Sequence, residues 1–265
     1  MTLRLTWRHV VMNVMMTLEY RAAFFVYMIN TVATPLISLL VWLAVAEQGV
    51  RLPYGRSQFV TYYVLLSVVS MLTSTWLGEY VAENIRLGGL SPLLLRPAPF
   101  LPHYIGNNIG EKVIKLPLLL PLVAIVALLF RTDLRLPSDP RLWLLFAFSL
   151  PLAAAIAFLL DVVIGSLAFW IEDVRGLLRV RTLVGAFLAG QYVPLALFPP
   201  RFAPFLDVQP FRYTLSFPLE VLTGGLPSEA LIRGFAWQIA YCGGLWACYR
   251  LLWHYGLRRY AASGG

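Results

Sequence analysis

The chain has 265 residues, 59% of them apolar and only 13% charged, with a mean hydropathy of +0.73. Soluble domains carry roughly a quarter charged residues, so this composition excludes an ordinary water-soluble enzyme and any disordered or fibrous chain. The net charge of +8 rests almost wholly on arginine, since Lys112 and Lys115 are the lone lysines. Arginines set between apolar runs fit membrane topology better than nucleic-acid binding.

Residues 1–20 place Trp7, Val10, Val11, Val14 and Leu18 on one helical stripe, with Arg8, His9, Asn13 and Glu19 elsewhere. That pattern predicts an amphipathic helix lying in the membrane interface. Ala44-Val45-Ala46 resembles a signal-peptide cleavage site. The preceding run of 25 uncharged residues exceeds the ~7–15 residues of a signal core, so the first span is expected to be retained.

A membrane crossing needs ~20 helical residues, and the gaps between charges predict six. Arg21 to Glu47 encloses 25 uncharged residues and Arg56 to Glu79 encloses 22, placing spans at 22–47 and 57–80. Lys115 to Arg131 encloses only 15, so the third span must start near Tyr104 and cover 104–130, with Glu111, Lys112 and Lys115 at its interfacial end. The fourth covers 142–170, the fifth 181–200 and the sixth 231–253, where flanking arginines can snorkel. Residues 203–225 are apolar but broken by Asp207, Arg212 and Glu220 and by Pro204, Pro210 and Pro218. A re-entrant element packed against protein suits them better than a lipid-facing helix. The fold class expected is therefore an all-α integral membrane protein, read as a single domain over 1–265.

Six spans put both termini on one side. Thirteen basic residues fall on the terminal side, among them Arg4, Arg86, Arg175 and Arg258, against eight on the other, which favours cytoplasmic termini. Cys242 and Cys248 sit on different helix faces and support neither a disulfide nor a metal site. His9, His103 and His254 are scattered and lack metal-site spacing. Because no Gly-Lys dipeptide exists, no phosphate-cradling P-loop exists. Asp161 lies ~28 Å along a helix begun at Leu142, near the cytoplasmic boundary, where a structural role fits it better than proton relay. Glu111 and Lys115, four apart, are expected to pair.

Between the second and third spans, Glu83 to Pro97 reads as a cytoplasmic turn with paired glycines, then a short apolar piece ended by Arg96-Pro97. Leu90, Leu93, Leu94 and Leu95 would suit either a groove on a partner or the membrane surface. Gly89-Leu90 followed by Leu94-Leu95-Arg96-Pro97 resembles the coupling-helix signature of ABC-2 type permeases, the membrane subunits of ABC exporters. The amphipathic start, the six spans, Gly165-Ser166-Leu167-Ala168-Phe169-Trp170 at the end of the fourth span, and the Pro-rich segment after the fifth extend the resemblance over essentially the whole chain. Specifically, the chain resembles a subfamily of ABC-2 permeases of about this length.

The resemblance implies two permease subunits, identical or not, seated on two ABC ATPase subunits that carry the ATP and magnesium. This chain would then hold no cofactor or metal, bind no nucleic acid and catalyse no reaction. Docking to the ATPase would fall to 83–97, through Ile85, Arg86, Gly89, Leu90, Leu93, Leu94, Leu95, Arg96 and Pro97. Residues 1–20 would form the connecting helix, in the inner membrane of a prokaryote. The second and fifth spans would line the pathway, pointing to Tyr62, Tyr63, Met71 and Trp76, and to Phe187, Gln191 and Tyr192. Such aromatic and Met side chains suit a hydrophobic, amphipathic or cationic substrate. The competing class is an ATP-independent membrane transport or assembly protein. No internal repeat of the kind common in secondary transporters is visible.

Overall fold

The computed structural model describes residues 21–50, 52–94 and 101–260. The expected amphipathic helix at 1–20 and the residues Leu95, Arg96 and Pro97 lie outside them. Among the described residues every regular element is helical. α1 is Arg21–Glu47, α2 Arg56–Thr73, α3 Leu77–Arg86, α4 Ser91–Leu94, α5 Leu101–Leu129 and α6 Pro140–Ser166. α7 is Arg175–Leu188, α8 Ala203–Val208, α9 Ser216–Thr223 and α10 Ser228–Leu257, with short 3-10 turns at 167–169, 195–197, 200–202 and 210–214.

Four stretches are long and apolar enough to cross a membrane: Ile29–Glu47, Arg56–Arg86, Tyr104–Leu129 and Pro140–Phe169. Pro35, Pro117, Pro121 and Pro151 sit inside these helices. In a bundle they are tolerated because neighbouring groups satisfy the freed backbone. α10 has 30 residues, about 45 Å of helix, but a more polar sequence.

Two expected spans take a different form. The second is broken at Ser74-Thr75-Trp76 into α2 and α3. In the fifth, helix runs over Arg175–Leu188 and stops before Gly190, whose φ is +83. Its 14 residues reach about 21 Å, short of a ~30 Å hydrocarbon core. Residues 181–200 are thus half a helix followed by turns.

The helices run between two ends. At the distal end Arg56 bridges Glu47 (3.2 Å) and Asp133 (2.9 Å), tying the first two loops together. Asp139 caps α6 there by accepting from the Arg141 N–H at 2.9 Å, with Pro140 at the first helical position. At the proximal end Ser91 Oγ and Tyr260 Oη share a 2.9 Å hydrogen bond, joining the α3–α4 corner to the end of α10.

Packing follows the apolar faces. Leu39, Phe59, Tyr63, Leu66 and Leu119 join α1, α2 and α5. Leu77, Leu90, Tyr104, Val162 and Tyr249 join α3, α5, α6 and α10 nearer the proximal end. α3 and α6 cross at two glycines: a Cβ on Gly165 would sit 2.6 Å from the Gly78 carbonyl oxygen. Inside the bundle, the fully buried Gln238 donates to the carbonyls of Ser149 (3.2 Å) and Tyr213 (3.1 Å) and accepts from Ser149 Oγ at 3.2 Å. One amide therefore ties α10 to α6 and to the segment between α8 and α9.

Candidate functional site: two chambers separated by Tyr62

α1, α2 and α7 border a half-open cavity of about 350 Å³, with Leu215 and Thr214 on one side. It lies partway along the bundle: Asn30 is about 25 Å along α1 from Glu47 by helical rise. Its wall carries Asn30, Thr31, Thr34, Ser70, Thr73, Ser74, Thr75, Thr182 and Gln191, with Arg181 as its one ionisable residue among the described residues. Polar groups at such depth are costly to bury dry, so this lining suits water or a polar ligand.

A second cavity, about 810 Å³, opens at the distal end between the start of α2, residues 135–138 and the 195–226 region. Tyr62 separates the two. It lines the larger cavity, and its hydroxyl donates to the Gly190 carbonyl at 2.8 Å and meets Ser216 Oγ at 3.3 Å. Gly190 sits between Ala189 and Gln191, and Ser216 follows Leu215, all three neighbours lining the smaller cavity. Glycine is required at 190, since φ is positive and a Cβ would lie 2.5 Å from Ser216 Oγ and 2.6 Å from the Tyr62 hydroxyl. Beside it, Tyr63 Oη (2.8 Å) and Trp42 Nε1 (3.0 Å) both donate to the Tyr192 carbonyl, and the rings of Phe187 and Tyr192 lie 5.3 Å apart.

Of the residues expected on the pathway, Tyr62, Tyr63, Phe187, Gln191 and Tyr192 thus meet at the turn where α7 ends. Met71 is buried on the inner chamber wall. Trp76 stands apart at the α2–α3 break, exposed, with its indole N–H on the Glu111 carboxylate. The hydroxyl and amide wall itself went unread. The signal was available: Asn30, Thr31 and Thr34, and Ser67, Ser70, Thr73 and Ser74, recur at helical spacing inside apolar runs.

Around the break, Ser74's carbonyl accepts from Lys112 Nζ at 2.8 Å and Asn108 Nδ2 at 3.4 Å. Glu111 pairs with Lys115 as well as with Trp76. Asp161 is salt-bridged to Arg181 at 3.1 Å and accepts from the Gly78 N–H at 3.5 Å, which fastens α7 to α6 and α3. The Arg181 Nη2 also donates to the Ala157 carbonyl at 3.3 Å.

In the 83–97 segment, Ile85 and Leu90 are buried among Leu77, Val81 and Tyr104. The chain reverses at Gly88, with φ +76, and Leu90 N–H closes the corner on the Asn84 carbonyl at 2.9 Å. Asn84 packs against Gly89 and donates to Tyr104 Oη at 3.0 Å. Leu87, 75% exposed, and the half-buried Arg86 face outward. Leu93 and Leu94 belong to the backbone of α4. Between α6 and α7, the exposed Asp173 is held to about 2 by hydrogen bonds from Arg175.

A family model described as ABC-2 family transporter protein matches residues 32–264. A search of curated proteins and a search of solved structures each found no match. The match spans the larger cavity, all but Asn30 and Thr31 of the smaller one, the broken second span and the 83–97 corner, and that family is one of multi-pass membrane permeases that work with an ABC ATPase subunit. The chain belongs to the ABC-2 family of transporter permeases.

Proposed function

We propose that this chain is the permease subunit of an ATP-driven exporter, working as a dimer on two separate ATPase subunits. α7 and α10 complete six passes, both termini are cytoplasmic, and the proximal end is the cytoplasmic one. The observation that carries the reading is the link between the two cavities: Tyr62 lines the larger and bonds to Gly190 and Ser216, whose chain neighbours line the smaller. A substrate would enter the hydroxyl-lined chamber, pass the Tyr62–Gly190–Ser216 septum and leave through the distal cavity. No bond chemistry is asked of the permease; its work is differential affinity in two conformations driven by the ATPases. The wall favours an amphipathic substrate whose polar group is uncharged, because Arg181, the one charge lining it among the described residues, is already paired with Asp161.

Two further features support the assembly. Leu177, Val180, Leu183, Val184 and Phe187 form an exposed apolar row on α7, and such a row calls for a covering surface, here a second permease. In the 83–97 segment, Ile85 and Leu90 seat the corner, leaving Arg86, Leu93, Leu94, Leu95, Arg96 and Pro97 to meet the ATPase.

The test is reconstitution with the ATPase and filling of the inner chamber by Gln191→Trp or Thr34→Phe. Transport and substrate-stimulated ATP hydrolysis should fall at least tenfold while insertion and ATPase co-purification persist. Unchanged transport in both variants would remove the chamber from the pathway.

A further inference from the structure

The larger, distal cavity has a chemistry of its own. Its volume of about 810 Å³ falls in the ~300–1,000 Å³ range of ligand sites. Arg212 lies across its floor, pairing with Asp207 and, at 2.7 Å, with Glu220, while its Nε–H is buried with no hydrogen-bond partner among the described residues. Arg212 and Glu220 side chains are each 16% exposed, whereas Asp207, also lining the cavity, is 45% exposed. Among the described residues the charged lining is Arg135, Asp207, Arg212 and Glu220, two of each sign. A ligand with net charge therefore gains no net attraction from the wall. The remaining polar lining is hydroxyl and amide, led by Tyr54 and Gln58, beside the apolar faces of Phe198 and two prolines.

From this arrangement we infer that the distal cavity is a binding site for a neutral polyhydroxylated group, a sugar either free in the outer aqueous phase or borne on a lipid. A pyranose ring offers hydroxyls that donate to Asp207 and accept from Gln58 and the guanidinium of Arg135, and C–H faces that stack on Tyr54 and Phe198. A lining that mixes donors, acceptors and the aromatic side chains of Tyr54, Tyr62 and Phe198 matches such a ring better than an ammonium ion or a phosphate, either of which would meet its like charge within the same lining. The inference goes beyond transport: binding here needs no ATPase and no passage through Tyr62.

The experiment uses the permease alone in nanodiscs, with titration of maltotriose, phosphocholine and inorganic phosphate. In parallel, nanodiscs are prepared with and without diglucosyl diacylglycerol. Trp143, whose indole N–H donates to the Pro137 carbonyl on the cavity rim at 3.0 Å, serves as a fluorescence reporter. Saturable maltotriose binding assigns a soluble sugar, and a response confined to the glycolipid assigns a lipid-borne one. In either case Gln58→Ala and Asp207→Asn should weaken binding at least tenfold, and Gly243→Ala, at a position lining neither cavity, should leave it unchanged. Circular dichroism and elution volume confirm that each variant is folded. Absence of both responses, equal or tighter binding of phosphocholine or phosphate, or indifference to both distal variants overturns the inference. Because no ATPase is present, that failure leaves the exporter reading standing, and failure of coupled transport leaves sugar binding standing.

Discussion

The salt bridge between Asp161 and Arg181 should behave as a latch for α7. That helix buries Leu178 alone of its 14 residues, and its mid-point is held by Arg181 on Asp161 and on the Ala157 carbonyl. The side chains are 4% and 17% exposed, Asp161 being the more enclosed. Removing one partner strands the other in the bundle, which costs about 3–5 kcal/mol, whereas replacing both with apolar residues of similar size is close to neutral. Asp161→Leu and Arg181→Met should each lower the melting temperature of the purified permease, by roughly 6–20 °C at ~2–4 °C per kcal/mol. The double variant should recover most of that loss. Thermal unfolding followed by circular dichroism, with the four proteins compared as a double-mutant cycle, reads the coupling directly. Single variants within about 2 °C of wild type, or a double variant equal to the sum of the singles, would refute the latch.

Gly165→Ala should force α3 and α6 apart, because the new Cβ would lie 2.6 Å from a backbone oxygen that cannot yield; a loss of about 1–3 kcal/mol is expected. Gly243→Ala, with nothing within 4 Å, is the control and should gain a few tenths to about 1 kcal/mol from helix propensity. Unfolding midpoints of the pair check both. At the distal end, Tyr54 is pushed up to about 12, first by burial and then by the Glu220 carboxylate. Since the folded value is raised, this contribution is complete below pH ~10 and is lost as pH rises through about 12. Tyr54→Phe should therefore spare the protein about 2 kcal/mol of that alkaline loss, seen by comparing stability at pH 9 and pH 12. Leu94→Asp and Arg96→Ala should uncouple transport, leaving ATP hydrolysis unresponsive to substrate while membrane insertion is normal. Wild-type transport with normal ATPase co-purification would remove the docking assignment.

Counting uncharged residues located the apolar helices well where charge marks the water boundary, as at Arg21, Glu47 and Arg56. It misplaced α7 because Arg181 is not a boundary: paired with Asp161, it sits inside the bundle, and the helix begins six residues earlier at Arg175. The far end of that run does carry a local signal: Gly190 is a left-handed glycine just past the helix, closing a Schellman motif through Gly190 N–H on the Phe187 carbonyl (3.2 Å) and Gln191 N–H on the Ala186 carbonyl (2.9 Å). The close approach of Tyr62 and Ser216 to it is tertiary and is not written in the local sequence. The break at 74–76 has neither glycine nor proline; what sustains it is Lys112 and Asn108, more than 30 residues away. Of the aromatic residues of the second and fifth spans, Tyr62, Tyr63, Phe187 and Tyr192 gather at one turn while Trp76 stands apart. Their neighbours' hydroxyls were overlooked because each, taken singly, passes for an ordinary helix residue.

The break in the second span also sets an order for biogenesis. When α2 and α3 leave the ribosome, the Ser74 carbonyl has no helical partner, and the side chains that satisfy it lie on α5, 34 and 38 residues downstream. Until α5 is synthesised, that carbonyl must be kept wet or held by the insertion machinery. The break is therefore completed only when α5 has been made, and α2, α3 and α5 form one unit whose backbone is satisfied together.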